Sequence, residues 1–454
     1  MNTMLIHGGT IVNEGRRFQG WILVHGEQIA EIGQGDYNHN LEAAAATQKI
    51  DATGKIVIPG AIDAHVHFRD PGLTSKGDMS TESAAAVAGG VTSVLEMPNT
   101  VPQTTTLDAL ARKFDLAEGR MHTNYSFFLG ATTDNLAEIK RYECNGGRLV
   151  KLFMGSSTGG MLVSDGRALS ALFAEFGGVI SVHCEDESII RTNTERYRCE
   201  TGDDATTSIH PLVRSAEACY VSTARAVELA DRYEARLNVC HVTTARELTL
   251  FGEGPISQKK ITAEVCTPHL WFSADDYARL GNRIKCNPSI KSPADRDALR
   301  AGLLSGRLDL VATDHAPHTA AEKSLGYWNA PSGIPSVQHS LPVMFTLAEL
   351  TELTEEKPLP LELAVEKMCH APAVRFGLAN RGFLRKGYKA DITIVDPASS
   401  WGVSPENILS KCGWSPWEGV RFRPRVVCTI VGGRIAWDGT RVTDLATGES
   451  LTFK

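Results

Sequence analysis

Eight short apolar runs, each followed by a Gly, Pro or polar break and then an amphipathic stretch, occupy the middle of this chain and restrict its fold more than any other feature. They are residues 56–68, 90–98, 123–130, 148–154, 178–185, 236–243, 261–269 and 309–317. Their length and Val/Ile content suit strands buried on both faces, as in a parallel sheet. The stretches between them, such as 80–89, 106–119 and 215–235, carry helical patterns, with Ser80 and Ser215 placed as N-caps. Eight strands alternating with helices predict an α/β fold, a closed (β/α)8 barrel of the TIM type. A doubly wound open sheet is the competing architecture.

The two ends of the chain read differently. Residues 4–12, 20–33 and 49–60 are short alternating runs with Gly breaks, and 386–397 and 426–439 repeat that pattern. Such runs predict antiparallel strands. The expected organisation is therefore a small β-sandwich built from both termini, 1–58 with 380–454, beside a barrel over 59–379. Residues 41–48 read as a loop or short helix.

Composition narrows the function classes. The chain has 454 residues, 42% of them hydrophobic, and a net charge of -7, with no basic run. This argues against a disordered chain and against a nucleic-acid surface. No stretch approaches the ~18 apolar residues of a membrane span, and the first residues lack a signal-peptide pattern. Ten cysteines occur without a CxxC pair, and Cys184, Cys240 and Cys266 lie in apolar runs. Buried reduced thiols in a cytoplasmic protein are the expectation.

In a barrel the active site gathers at the C-terminal ends of the strands, and the ionisable residues of these runs cluster there. His65 and His67 close the first run, Lys151 lies in the fourth, His183 in the fifth, His241 in the sixth and Asp314 in the eighth. Strand side chains alternate, so His-x-His presents both imidazoles on one face, a donor pair suited to zinc or a similar metal. Each residue alone has an ordinary reading: a hydrogen-bonded core histidine, a snorkelling lysine, a turn-capping aspartate. The other histidines His7, His25, His39, His122, His210, His269, His339 and His370 lie outside this set, with the Asp314-His315 pair and His318 set apart, and read as structural or surface groups.

The blocks PGAIDAHVHFRDPG (59–72), TESAAAVAGGVTSVLEMPNTVP (81–102) and ATDHAPHT (312–319) resemble the amidohydrolase superfamily, and within it the dihydroorotases of the long type that carry a β-sandwich beside the barrel. The resemblance implies reversible cyclisation of N-carbamoyl-L-aspartate to dihydroorotate, in pyrimidine biosynthesis. It implies two zinc ions bridged by a carboxylated Lys151, with His65, His67 and Asp314 holding one and His183 and His241 the other. In such enzymes a bridging metal hydroxide attacks and Asp314 is the general acid and base. Arg69 offers a fork for the carboxylate that takes no part in the reaction, joined by Asn99, Asn287 and His318. A homodimer is the implied assembly. The sequence departs from the family pattern at Ser289-Ile290-Lys291, where Pro-Leu-Arg is usual.

Two other readings compete. An allantoinase or hydantoinase shares the barrel and metals but needs no receptor for a ring carboxylate. A non-catalytic scaffold of this family would lose ligands, whereas all six positions are filled here. The ordinary reading of Arg69 is an ion pair with Asp70 or Asp78.

Overall fold

The computed structural model describes residues 3–155, 161–349 and 359–454. Eight barrel strands follow one another as the apolar runs predict. They are β1 (Ala61–Val66), β2 (Val91–Glu96), β3 (Asn124–Phe127, continued by Leu129–Gly130), β4 (Leu149–Phe153), β5 (Val179–His183), β6 (Arg236–Val239), β7 (Ile261–Cys266) and β8 (Leu310–Ala312). Every neighbouring pair is parallel. Nearly every strand residue is buried, because helices cover the outer face and side chains fill the inner one.

The third strand changes partner partway. Asn124–Phe127 pairs with β2, and Leu129–Gly130 with β4, on either side of Phe128. Closure between β8 and β1 is made by one backbone bridge, Val66 with His315, and by the Asp63 side chain. Asp63 accepts from the backbone of Thr313 at 3.1 Å and from its hydroxyl at 2.5 Å. The open doubly wound sheet is thereby excluded.

Local sequence explains the helix starts. Asp78, not Ser80, caps Met79–Ala88: its carboxylate accepts from the backbones of Ser80 and Thr81 while its own backbone is extended. Ser80 lies two positions further in, where the backbone is already helical. Ser215 does cap Ala216–Tyr233, and Thr106 caps Leu107–Ala117. Residues Leu41–Ala44 form a single short helix.

Strands from both termini form the second unit. Thr3–Asn13 is its hub, pairing antiparallel with Arg16–His25. On its other edge it pairs with Gln48–Asp51 and then with Ile56–Pro59. Those two pairings are parallel, which corrects the antiparallel expectation for Gln48–Asp51 and for one edge of Ile56–Pro59. The chain leaves the Gln28–Gln34 edge and crosses back to the far side of Thr3–Asn13, and a crossover of that kind makes neighbours parallel. Gly8, at φ +74, sits in the register shift between Ile6 and Gly9 that divides the two pairings. Ile392–Asp396 then adds antiparallel to Ile56–Pro59, followed by Arg425–Val431 and Arg434–Trp437. Met4, Ile6, Ile22, Val57, Ile392 and Ile430 form the shared core of this β-sandwich.

Two C-terminal stretches return to the barrel. Val403, Trp417 and Phe422 join a core with Phe272, Tyr277 and Ile284. The backbones of Gly448 and Leu451 donate to Met121 and Tyr125 at the start of β3. Among the described residues no helix is long and apolar enough to cross a membrane.

Candidate active site

All ten residues singled out from the sequence line one cavity of about 750 Å³ at the C-terminal ends of the strands. His65, Lys151 and His183 lie on strands, whereas His241 and Asp314 stand two residues beyond β6 and β8. Three of the ten adopt left-handed backbone: Arg69 (φ +68), His241 (φ +37) and Asp314 (φ +49). That conformation is unfavourable for residues with a Cβ and is found where a site dictates side-chain direction.

The imidazoles form a continuous row. Ring centroids are 5.4 Å apart for His67 and His65, 5.2 Å for His65 and His241, and 4.7 Å for His241 and His183. Asp314 Oδ1 lies 3.0 Å from His67 Nε2 and 3.3 Å from His65 Nε2. His183 Nδ1 and His241 Nε2 are 2.9 Å apart. The donor atoms of His65, His67 and Asp314 lie within 4.8 Å of one another.

Oxygen acceptors behind the rings fix which nitrogen faces the cavity. Glu264 takes the Nδ1 side of His65 at 2.7 Å, Asn99 the Nδ1 side of His67 at 2.7 Å, and Glu185 the Nε2 side of His183 at 2.9 Å. With those sides committed, the inward nitrogen of a neutral ring is a lone pair, and that of His65 holds a proton until a cation replaces it. Two of the inward nitrogens face an Asp314 oxygen, and a third faces His241 Nε2. Such convergent acceptors repel one another unless a cation or proton stands among them. His241 Nδ1 is buried without a hydrogen-bond partner among the described residues. The residue set therefore fits a metal centre of N/O donors.

Charges follow the same geometry. Burial opposes the Asp314 carboxylate, yet His65 and His67 hold it far below the usual range. Burial lowers His67 to about 4 and depresses His183 and His241. Burial and Lys151 also press on His65, but Glu264, Cys240 and Asp314 outweigh them and leave it at about 10. Burial opposes Glu185 as well, but Arg214 and His183 bring it to about 2.

Lys151 is fully buried, with its Nζ 3.1 Å from the Cys240 sulfur and 5.1 Å from the Phe153 ring centre. Among the described residues it has no carboxylate partner, an unusual position for an ammonium. Arg69 is also buried. Its Nε donates to the Pro317 carbonyl at 3.0 Å and its Nη2 approaches His318 Nε2 at 3.1 Å. The two carboxylates near it in sequence are engaged elsewhere, Asp70 with Arg120 and Asp78 with Lys411. Among the described residues Arg69 forms no ion pair. Lys76 completes this corner, 3.1 Å from His318 Nδ1 and 2.6 Å from Glu322.

The unusual Ser289-Ile290-Lys291 stretch stands behind the cavity wall. Lys291 Nζ donates to the Ser289 hydroxyl at 2.8 Å, and that hydroxyl donates to the Arg214 carbonyl at 2.8 Å. Asn287, two residues earlier, lines the cavity itself. Sequence reasoning missed Glu264, Glu185, Cys240 and Lys76. One signal was present for the first: a carboxylate inside the buried run ITAEVC.

A profile of the amidohydrolase family matches residues 56–436. A curated relative from Trichlorobacter lovleyi named dihydroorotase is 33% identical over 96% of this chain and 99% of its own. Another of that name, from Halobacterium salinarum, is 34% identical over 85% of this chain and 87% of its own. Among solved structures, an L-hydantoinase (dihydropyrimidinase) from Arthrobacter aurescens superposes with a TM-score of 0.90 at 28% identity, covering 100% of both chains.

Proposed function

Because the chain belongs to the amidohydrolase family, we propose that it is a dihydroorotase, converting N-carbamoyl-L-aspartate and dihydroorotate into one another in pyrimidine biosynthesis. The relatives of that name at about a third identity support this reading. The observation that carries it is Arg69: a buried guanidinium on the cavity wall, with no ion-pair partner among the described residues, lining the same cavity as Asn99 and His318. A buried cation of this kind calls for an anion, and the ring carboxylate of dihydroorotate supplies one.

His65, His67 and Asp314 would hold one divalent cation and His183 and His241 a second. Lys151 would serve both as a carbamate, formed if its free amine adds to CO2 with loss of one proton. Bound divalent cations supply Lewis-acid polarisation of a carbonyl and lower the pKa of water from roughly 15.7 to about 7. Asp314 handles the proton. In hydrolysis its carboxylate takes a proton from the attacking water and gives it to the leaving ring nitrogen; in cyclisation it takes the ureido N–H proton. Asn99 orients His67, and Arg69 with His318 and Asn287 anchors the substrate. Residues 59–379 form the catalytic unit in this reading, with 1–58 and 380–454 the accessory sandwich.

The likeness to the L-hydantoinase structure favours a second reading, hydrolysis of neutral cyclic amides. One comparison separates the two. 5,6-Dihydrouracil differs from dihydroorotate by the ring carboxylate alone. The proposal expects kcat/KM for dihydroorotate to exceed that for dihydrouracil by roughly a hundredfold, the value of a charge-assisted carboxylate contact. Preference for dihydrouracil or hydantoin would transfer the assignment to the hydantoinases.

A further inference from the structure

We propose that Lys323 and Lys76 are positioning residues for the Arg69 corner of the cavity. Between them they hold His318 with its hydrogen on Nε2, which leaves Arg69 Nη2 facing a donor and keeps that guanidinium for an anion. This deepens the dihydroorotase reading and rests on it, because the anion is the ring carboxylate.

His318 stands between two groups of opposite kind. Lys76 Nζ, which can only donate, lies 3.1 Å from Nδ1. The Ser332 carbonyl, which can only accept, lies 3.1 Å from Nε2. One neutral tautomer satisfies both contacts, with the lone pair on Nδ1 and the hydrogen on Nε2. Burial, Arg69 and Lys76 keep the ring from taking a second proton. Arg69 Nη2 lies 3.1 Å from the same Nε2. Two donors therefore converge there, and they repel one another unless an acceptor stands against both. In the opposite tautomer Nε2 would accept from Arg69, and the guanidinium would be satisfied within the protein.

The Ser332 carbonyl is held from behind. Lys323 is buried, and its Nζ donates to the carbonyls of Lys285 at 3.0 Å, Pro331 at 3.0 Å and Gly333 at 2.9 Å. Three ammonium hydrogens meet three acceptors, two of which flank Ser332. Lys285, also buried, extends the clamp: its Nζ donates to the Tyr327 and Ala330 carbonyls at 2.6 Å each, and its own carbonyl accepts from the Gly333 backbone at 2.9 Å. Among the described residues neither lysine has a carboxylate within ion-pair distance. Glu322, next to Lys323 in the chain, is taken by Lys76 at 2.6 Å. A buried ammonium is costly unless its hydrogens are bonded, and here every bond goes to the backbone of one segment. That segment runs tight against the ring. Gly333 adopts φ +149, and a Cβ there would come within 2.4 Å of the Ala316 carbonyl and 2.8 Å of His318 Cδ2.

Steady-state kinetics of the full-length, zinc-loaded protein on dihydroorotate and dihydrouracil tests this. Lys323→Met should raise KM for dihydroorotate roughly fivefold or more, with kcat within about twofold, parental zinc content and unaltered turnover of dihydrouracil. Added to Arg69→Gln, it should change that KM by less than about twofold, because it acts through Arg69. Lys76 lies outside the clamp, so Lys76→Met tests the other side of the ring without disturbing the segment. It should raise the same KM, and do so by less than about twofold when His318→Gln is already present. The 15N spectrum of histidine-labelled protein, assigned with His318→Gln, should show His318 neutral and protonated on Nε2. A hydrogen on Nδ1 overturns the proposal, as does equal damage to both compounds, or an unchanged KM in folded Lys323→Met and Lys76→Met proteins. Should Lys323→Met fail to fold, Lys76→Met and the spectrum decide. An unmodified protein that prefers dihydrouracil would overturn the dihydroorotase reading, and the identity of the anion with it. Preference for dihydroorotate with His318 protonated on Nδ1 would overturn the positioning role and leave that reading standing.

Discussion

Asp63 on the first barrel strand accepts from both the backbone and the hydroxyl of Thr313 on the eighth, one residue before Asp314. The same carboxylate accepts from the His65 backbone at 3.2 Å. The seam of the barrel and the first half of the donor set therefore share a single side chain, and strain at one is felt by the other.

Asp63→Ala should destabilise the fold by about 3 kcal/mol, because three buried donors lose their acceptor. Thermal unfolding measures the loss. Bound zinc should also fall, since His65 and Asp314 flank the broken seam. An unchanged melting temperature would contradict the closure described here.

Asp314→Asn keeps the volume of the side chain and removes its basicity. Turnover should drop by roughly 10³-fold or more, while the circular dichroism spectrum stays that of the parent. Near-parental kcat would exclude the proton-transfer role.

Arg69→Gln should raise KM for dihydroorotate by roughly 10–100-fold and leave turnover of dihydrouracil, however slow, unaltered. Steady-state kinetics on the two compounds reads this directly. Equal damage to both would mean that Arg69 only shapes the cavity.

Lys151→Ala should purify with less than the parental zinc content. Acetate or propionate, which place a carboxylate in the vacated space, should restore part of it. Full zinc occupancy without added acid would argue against a carbamate between the two cations.

His339 stands 1% exposed among Trp401, Trp417 and Phe422, and burial lowers it to about 3. An unfolded histidine titrates near ~6.5, so between pH 6.5 and 3 the unfolded chain binds the proton first. Stability from this residue is constant above pH ~6.5 and falls on acidification. From pH 7 to pH 5 the loss should be about 2 kcal/mol, and His339→Gln should lessen it in urea unfolding curves.

Much of this was legible in the sequence because strand chemistry has period two. His65-x-His67 points both rings one way wherever a strand carries them, and Lys151 in RLVKLFM is conspicuous because lysine seldom enters an apolar strand. The barrel order then brings residues far apart in the chain to one rim.

What the sequence hid depends on register and on crossing segments. Glu264 meets His65 across the β7–β8–β1 arc, and nothing near either residue announces the pairing. Glu185 reads as an ordinary carboxylate after His183 until Arg214 is placed against it. The parallel pairing of Gln48–Asp51 and Ile56–Pro59 is invisible for a similar reason: alternation marks a strand but not its direction. At the start of Met79–Ala88, Asp78 and Ser80 are both good caps, and only the backbone turn decides between them.

The C-terminal return has a consequence for how the protein is made. Trp414 donates to the His318 carbonyl at 2.7 Å, and Ser410 donates to Glu82 at 2.5 Å. The barrel rim is braced by residues translated about a hundred positions after the last strand. A ribosome-bound chain that has already emerged through β8 still lacks the piece that steadies His318. Catalytic competence should therefore wait for residues 410–414 to emerge, and a chain arrested after residue 400 should hold a barrel with a slack rim.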